Sequence, residues 1–390
     1  MGDSEYRTSI CDDPAAIDAQ AWDRLVAGDP DGNPFLRHAF FAALHTSACA
    51  DAQAGWHPQF ITLWRDRDLA AFVPLFVKSH SFGEYVFDWS WADAQERLGE
   101  AYYPKLLVAV PFSPISGSRL VAADESARSA AAAVLMHLAR TSELSSLHVL
   151  FPPAAQAEAL VSKGMLLRTN VQFHWRNRDY ANFEHFLDGL AQPKRKKIRA
   201  ERRKVQEAQV TLERKTGTDI GDADWRFFQQ CYDRTYFQHG SRPYLNLRFF
   251  RSLAREMPEH LMLVLARRNG KPIASALGVF DKQRSVLYGR YWGAIEHVPC
   301  LHFECCYYQM IEFAIEQRIA VFEGGAQGEH KLARGLDPVE TCSVHWLRSP
   351  EMQAAVRRVV QRERGAVAAS IDEMAEHRAF RGRGREEESE

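Results

Sequence analysis

Between Leu287 and Ser343 the sequence sets Arg290, His302, Glu304, Glu329, His330 and Lys331 into a stretch that otherwise reads as buried core. An ionisable group in a core costs roughly several kcal/mol unless it is paired. A fold that accepts so many in one segment has to supply partners or a cleft, so the segment predicts a site. Its most unusual piece is F-E-G-G-A-Q-G-E-H-K, where a strand ends in Glu323, glycines loosen the backbone, and Gln327, Glu329, His330 and Lys331 follow. Glycine-rich loops after strands let backbone N–H groups wrap an anion or a carbonyl. The spacing is neither that of a Walker loop nor G-x-G-x-x-G, and a plain polar turn is the alternative.

The remainder reads as a frame of mixed α/β order. A helix opened by Asn33-Pro34-Phe35 precedes a hairpin of P-Q-F-I-T-L-W-R-D and L-A-A-F-V-P-L-F-V-K-S-H, joined by the turn at 65–68. A buried strand around 106–110, an alanine-rich helix at 123–142, the strand L-H-V-L-F-P-P, a short helix and the strand L-L-R-T-N-V-Q-F-H-W-R-N complete the first half. The second half repeats that order: helices at 182–191, 193–209, 222–237 and 246–256, three strands between 261 and 294, a helix at 301–317, the strand I-A-V-F-E-G-G and a last strand near 341–347. The division falls near 178–192, the first 32 residues form a loose start, and the tail from Ser349 is helical and charged, with R-G-R-G-R-E-E-E-S-E expected to be disordered.

Three pieces carry chemistry. Eight of the eleven residues from Lys194 to Lys204 are basic. On a helix Arg195, Arg199 and Arg202 share one face, while Ile198 and Val205 mark the packed one. Positive charge on a helix opened by Pro193 suits phosphate or nucleic acid; a solvated charged face is the alternative. In Y-G-R-Y-W-G, Arg290 and Trp292 fall on one side of a strand whose glycines admit a ligand or a neighbouring backbone, unless Arg290 only snorkels from an aromatic core strand. In L-H-F-E-C-C-Y-Y-Q, His302 and Glu304 begin a helix apolar nearly all round; the acid serves as a base or simply satisfies the helix terminus. His302, Glu304, Cys305, Cys306, Glu329, His330, Cys342 and His345 lie close in sequence, but without C-x-x-C or H-E-x-x-H spacing no metal site is expected.

Composition narrows the class. A net charge of -1 leaves any nucleic-acid role to a local patch. The acidic, polar N-terminus lacks a signal-peptide core, and no window reaches the ~18–20 apolar residues of a membrane span. Seven scattered cysteines suit reduced thiols, so a cytoplasmic protein is expected.

The fragments NPF, YYPKLLVAVPFSP, HVLFP, QFHWRN, PKRKKIRAERRKV, YGRYWG, LHFECCYYQ and GAQGEHK resemble the bacterial FemAB-like, GNAT-fold N-acyltransferases, over about 33–346. The resemblance implies an α/β (α+β) chain of two tandem GNAT-like domains, mostly antiparallel sheets flanked by helices, at 33–180 and 181–348, with the tail at 349–390. It implies N-acyl transfer from an acyl-CoA or aminoacyl-tRNA donor to an amine on a cell-wall precursor or small molecule. The inserted coiled-coil arm that many Fem-type relatives carry for tRNA is absent, as is an R/Q-x-x-G-x-G/A pyrophosphate loop. In that chemistry Glu304 or Glu329 is expected as the base, with His302 or His330 as alternative or relay. Gln327 and backbone at 324–328 would hold the oxyanion. Arg195, Lys196 and Arg199 would hold phosphates, Arg290 and Lys331 a carboxylate or phosphate, with Trp292 beside them. Tyr103, Lys105, Arg119, His174 and Asn177 would line a cleft between the halves, a purely structural role being the alternative for each. A non-catalytic module that binds RNA or an anionic precursor through the basic helix is the alternative.

Overall fold

The computed structural model describes residues 5–325, 328–376 and 379–380; the C-terminal decapeptide expected to be disordered lies outside them. The chain forms two compact units that interleave in sequence. One contains the residues up to Asn170 together with Tyr244–Met257 and Glu340–Ala368; the other contains Val171–Pro243, Pro258–Val339 and the residues from Ala369. Thus a single division near 180 does not separate them.

The helix Leu247–Glu256 shows why. Its N-cap Asn246 accepts from the Phe249 amide through Oδ1, while its side-chain amide donates to the Ser47 carbonyl at 2.8 Å. Phe249 then meets Phe40 edge-on, on the helix His38–Thr46. One cap residue and one aromatic pair therefore bind this helix into the first unit.

In the first unit, Phe60–Arg65 and Asp68–Val73 form the expected hairpin in a four-stranded antiparallel sheet whose edges are Arg7–Cys11 and Val121–Ala122. A second layer runs in the order Asp337–Leu347, Ser146–Leu150, Lys105–Val108, Leu75–Lys78, Trp56–Pro58. The helix Glu125–Thr141, capped by Asp124, buries Ala127, Ala131 and Leu135, spaced four apart on one face. Beneath the sheet, Lys105 is fully buried between Asp88 (2.5 Å) and Glu84 (2.8 Å). His148 Nδ1 meets His345 Nδ1 at 2.7 Å.

In the second unit the order is Val210–Thr216, Leu261–Arg268, Lys271–Asp281, Val286–Ala294, Val321–Glu323, and the end of Leu166–Arg176. Val286–Ala294 and Val321–Glu323 pair in parallel; the other neighbours are antiparallel. The helix Asp222–Gln238 crosses Val286–Ala294 so closely that a Cβ on Gly293 would overlap the Cys231 carbonyl. Thr235 Oγ1 donates to the Trp292 carbonyl at 2.9 Å beside that crossing. Gly293→Ala is expected to push helix and strand apart and to cost about 1–3 kcal/mol in a urea titration, the usual range for overpacking. No described helix is long and apolar enough to cross a membrane.

Candidate functional site

The site begins where two strands part. Val286–Ala294 pairs with Val321–Glu323 at Val286, Leu287 and Tyr288 only. On its other side the longer strand carries a bulge: Leu277 faces Tyr291 and Gly278 faces Gly289, leaving Arg290 as the extra residue. A bulge bends its strand and redirects a side chain. Past the fork lies a cavity of about 120 Å³, lined among others by Gly289, Arg290, Trp292, Cys306, Tyr307 and Gly324. A larger pocket of about 480 Å³, with Arg234, His239, Glu296 and His297 at its walls, shares Trp292 and His302 with it. The two therefore adjoin at Trp292 and His302.

The helix behind the fork is not the uniform helix the sequence suggests. Leu301–Phe303 is α-helical, Glu304–Tyr308 forms a π-turn, and Gln309–Glu316 resumes the α-helix. π-Turns recur at functional sites because the widened turn reorients side chains. Here Tyr307 reaches the cavity and its hydroxyl meets His330 Nε2 at 3.1 Å. His302 stands edge-on to Trp292, and burial, reinforced by His330, Arg334 and Lys331, lowers its pKa to about 4. Burial lowers Lys331 to about 8, and its Nζ donates to the Gly325 carbonyl at 3.1 Å. Burial also pushes the Cys305 and Cys306 thiols up, which removes thiolate chemistry.

Glu304 is placed otherwise than expected for a base. Arg202 donates to both of its oxygens, at 3.1 and 3.2 Å, and Gln309 adds a third hydrogen bond at 2.9 Å. A carboxylate so occupied ties the basic helix Gln192–Glu207 to the site helix. A second tie lies beside it, where Arg334 donates to both Glu201 oxygens at 2.7 and 2.9 Å. Tyr308 donates its hydroxyl to the same Glu201, and the guanidinium covers the Phe303 ring at 3.5 Å.

The structure brings His302, Arg290, Trp292, His330 and Lys331 to the neighbourhood of the fork. Gln327 and the side chain of Glu329 lie outside the described residues. Arg195 and Arg199, expected to hold phosphates, are instead paired with Asp188 (3.1 Å) and Glu184 (2.5 Å). Lys194, Lys196, Lys197 and Lys204 make no ion pair among the described residues, and the last three are exposed. Tyr103 belongs to the first unit, where its hydroxyl meets Ser81 at 2.8 Å in the cluster around Lys105. His174 faces Glu323 across the strands, 4.0 Å between Nε2 and Oε2. In the sequence Glu323 stands as a lone acid closing an apolar strand before a glycine, a pattern that signals no particular role.

The chain belongs to the FemAB-like family of peptidoglycan biosynthesis/recognition, whose model matches residues 13–382. Similar solved structures share its fold at low identity. FemX is 13% identical, with 87% of this chain and 98% of that one covered at a TM-score of 0.53. L-PGS from Bacillus licheniformis is 10% identical, covering 90% and 99% at 0.55. A conserved protein from Bacteroides thetaiotaomicron is 13% identical, covering 87% and 100% at 0.51. No curated protein matches the chain. The expected mixed α/β fold, with sheets flanked by helices, is the observed one. Among the described residues no group of three or more His, Cys, Asp or Glu is placed to hold a metal ion.

Proposed function

We propose that the protein is an N-acyltransferase that carries an acyl or aminoacyl group to an amine of a cell-wall precursor or small molecule. The fork carries the reading. Past Tyr288 the short strand no longer covers the edge of Val286–Ala294, and a strand edge presents backbone N–H and C=O groups in a row. A thin donor arm running past Trp292 would bring a thioester or ester carbonyl against that edge. Backbone donors there suit the oxyanion of a tetrahedral intermediate, and their fixed placement lowers the barrier. Family membership supports the same chemistry.

Acetyl-CoA, a long-chain acyl-CoA and a charged tRNA are the donors to compare by titration of the tryptophan fluorescence at low and moderate salt. The true donor is expected to change the Trp292 emission, and Trp292→Phe to remove that change. Weak salt dependence would favour a CoA thioester. A steep dependence, flattened by Lys196→Glu, Lys197→Glu and Lys204→Glu together, would favour tRNA held by the exposed lysines. If none of the three binds, the acyl-transfer reading falls, and the basic helix as a purely binding surface takes its place.

A further inference from the structure

We propose that His302 donates the hydrogen bond that holds the donor's carbonyl oxygen as it becomes an oxyanion. The inference rests on the acyl-transfer reading and adds one side-chain donor to the backbone groups at the fork.

His302 stands where the two pockets adjoin, lining both the cavity of about 120 Å³ at the fork and the wider one of about 480 Å³. It lies on the short α-helical turn Leu301–Phe303, just ahead of the π-turn. Rings hold it there. Trp292 and Tyr307 meet it edge-on at 5.4 and 5.6 Å between centroids, with Phe303 at 5.5 Å and His330 at 6.4 Å. The Tyr307 hydroxyl is taken by His330, whereas no hydrogen bond reaches the His302 imidazole among the described residues. Polar groups withdrawn from water are ordinarily paired, so a half-buried imidazole with an unspent donor points to a ligand. The cavity is small enough to bring that ligand close. About 150 Å³ takes a single benzene ring, so an acyl group admitted here lies against the walls.

The surrounding charges decide between a donor and a base. Burial, then His330, Arg334 and Lys331 on the turn Glu329–Arg334, lower His302 to about 4, so the ring is neutral. Glu304, two residues on, is turned to Arg202 and Gln309. In the wider pocket stand Arg234, His239 and His297, and Glu296 there pairs with Arg268. A base becomes positive as it acts, and this field opposes that change. An oxyanion becomes negative, and the same field stabilises it. The neutral imidazole carries one N–H to offer.

In the step itself the acceptor enters as the free amine. Its lone pair forms the C–N bond while the carbonyl π electrons move onto oxygen, where the His302 N–H meets the new charge. The electrons then return and the bond to the donor's sulfur or ribose oxygen breaks. That atom leaves with the electron pair and takes a proton from nitrogen. His302 gives up no proton and gains none.

Acetyl-CoA, a long-chain acyl-CoA and a charged tRNA, each made with and without 13C at the acyl carbon, are the probes for infrared difference spectra. The donor that binds is expected to show its carbonyl stretch at lower frequency on the protein than in solution. His302→Phe keeps a ring and removes the N–H; it is expected to abolish about half of that shift or more while affinity stays within about threefold. His302→Gln retains an N–H and is expected to restore part of it. The wild-type shift should be constant between about pH 6 and pH 8, where the imidazole stays neutral. A shift that grows as pH falls through that range would mean an imidazolium, and the proposal fails. It also fails if the shift survives in His302→Phe, or if a bound donor shows no shift. One measurement is independent of how the variants fold: in wild-type protein with 15N-labelled histidine, the His302 N–H proton, assigned by its loss in His302→Gln, should move downfield when donor binds. A proton that stays in place overturns the proposal. If none of the three donors binds, acyl transfer itself falls and takes this inference with it; donor binding without these signals sinks only the role of His302.

Discussion

Lys105→Met is expected to lower folding stability by about 3–5 kcal/mol, the range for a buried ion pair robbed of one partner. Lys105 has no exposed side-chain surface and holds Asp88 at 2.5 Å and Glu84 at 2.8 Å. Lys78, lowered to about 7 by burial, is a second cation acting on both acids. Burial raises both carboxyls, but Lys105 outweighs it at Asp88 and holds that group well below the ordinary range. Glu84 is left raised to about 7. The signs follow from linkage. The depressed Asp88 contributes stability above its unfolded pKa that is lost in strong acid. The raised Glu84 contributes stability at low pH that is lost as pH rises from 4.5 toward about 7. Without the lysine both acids resist ionisation, so the deficit of Lys105→Met is expected to be larger at about pH 8 than at about pH 5. Urea titrations at the two pH values check this. Adding Glu84→Gln and Asp88→Asn is expected to restore much of the loss, and a deficit that ignores both pH and the added amides would mean that the packing of the methylene stem dominates.

Arg334→Met is expected to have an effect of similar size, about 3–5 kcal/mol, and to act on the site as well. The guanidinium is buried, donates to Glu201 and to the His330 carbonyl at 2.6 Å, and covers Phe303. Its removal leaves the Glu201 carboxylate, among the described residues, with only the Tyr308 hydroxyl as a hydrogen-bond partner. The basic helix and the turn bearing His330 and Lys331 then lose their common anchor. Differential scanning calorimetry should show a lower transition for Arg334→Met, and Glu201→Leu in the same chain should recover a large part of it. If the double variant is no better than the single, the arginine works through its stacking on Phe303.

Most of the frame was legible because buried strands and amphipathic helices write their periods into the sequence. Phe60–Arg65 with Asp68–Val73, and the helices Glu125–Thr141 and Asp222–Gln238, are of this kind. The edge strands Arg7–Cys11 and Val210–Thr216 escaped, since an edge strand exposes polar side chains and carries a weak apolar signal. The helix Leu247–Glu256 was placed correctly along the chain but its unit was not, because Asn246 and Phe249 find partners about 200 positions away.

The site was legible as a region and less so as a set of roles. Arg290, Trp292, His302, His330 and Lys331 stood out as polar or aromatic residues in a core segment, and they converge at the fork. Glu304 stood out for the same reason, yet its role depends on Arg202, 102 residues earlier, a pairing no local pattern announces. Neither did any pattern announce the π-turn at Glu304–Tyr308.

The pairing of His148 with His345 spans 197 positions, and the strand bearing His345 closes the first unit's second layer. During synthesis, the edge of Ser146–Leu150 waits uncovered while the whole intervening chain leaves the ribosome. An open strand edge of that sort invites pairing with a neighbouring nascent chain. Overproduction at high translation rates is thus the condition under which this protein would enter inclusion bodies, and slower synthesis or an early chaperone on residues 146–150 would be the remedy.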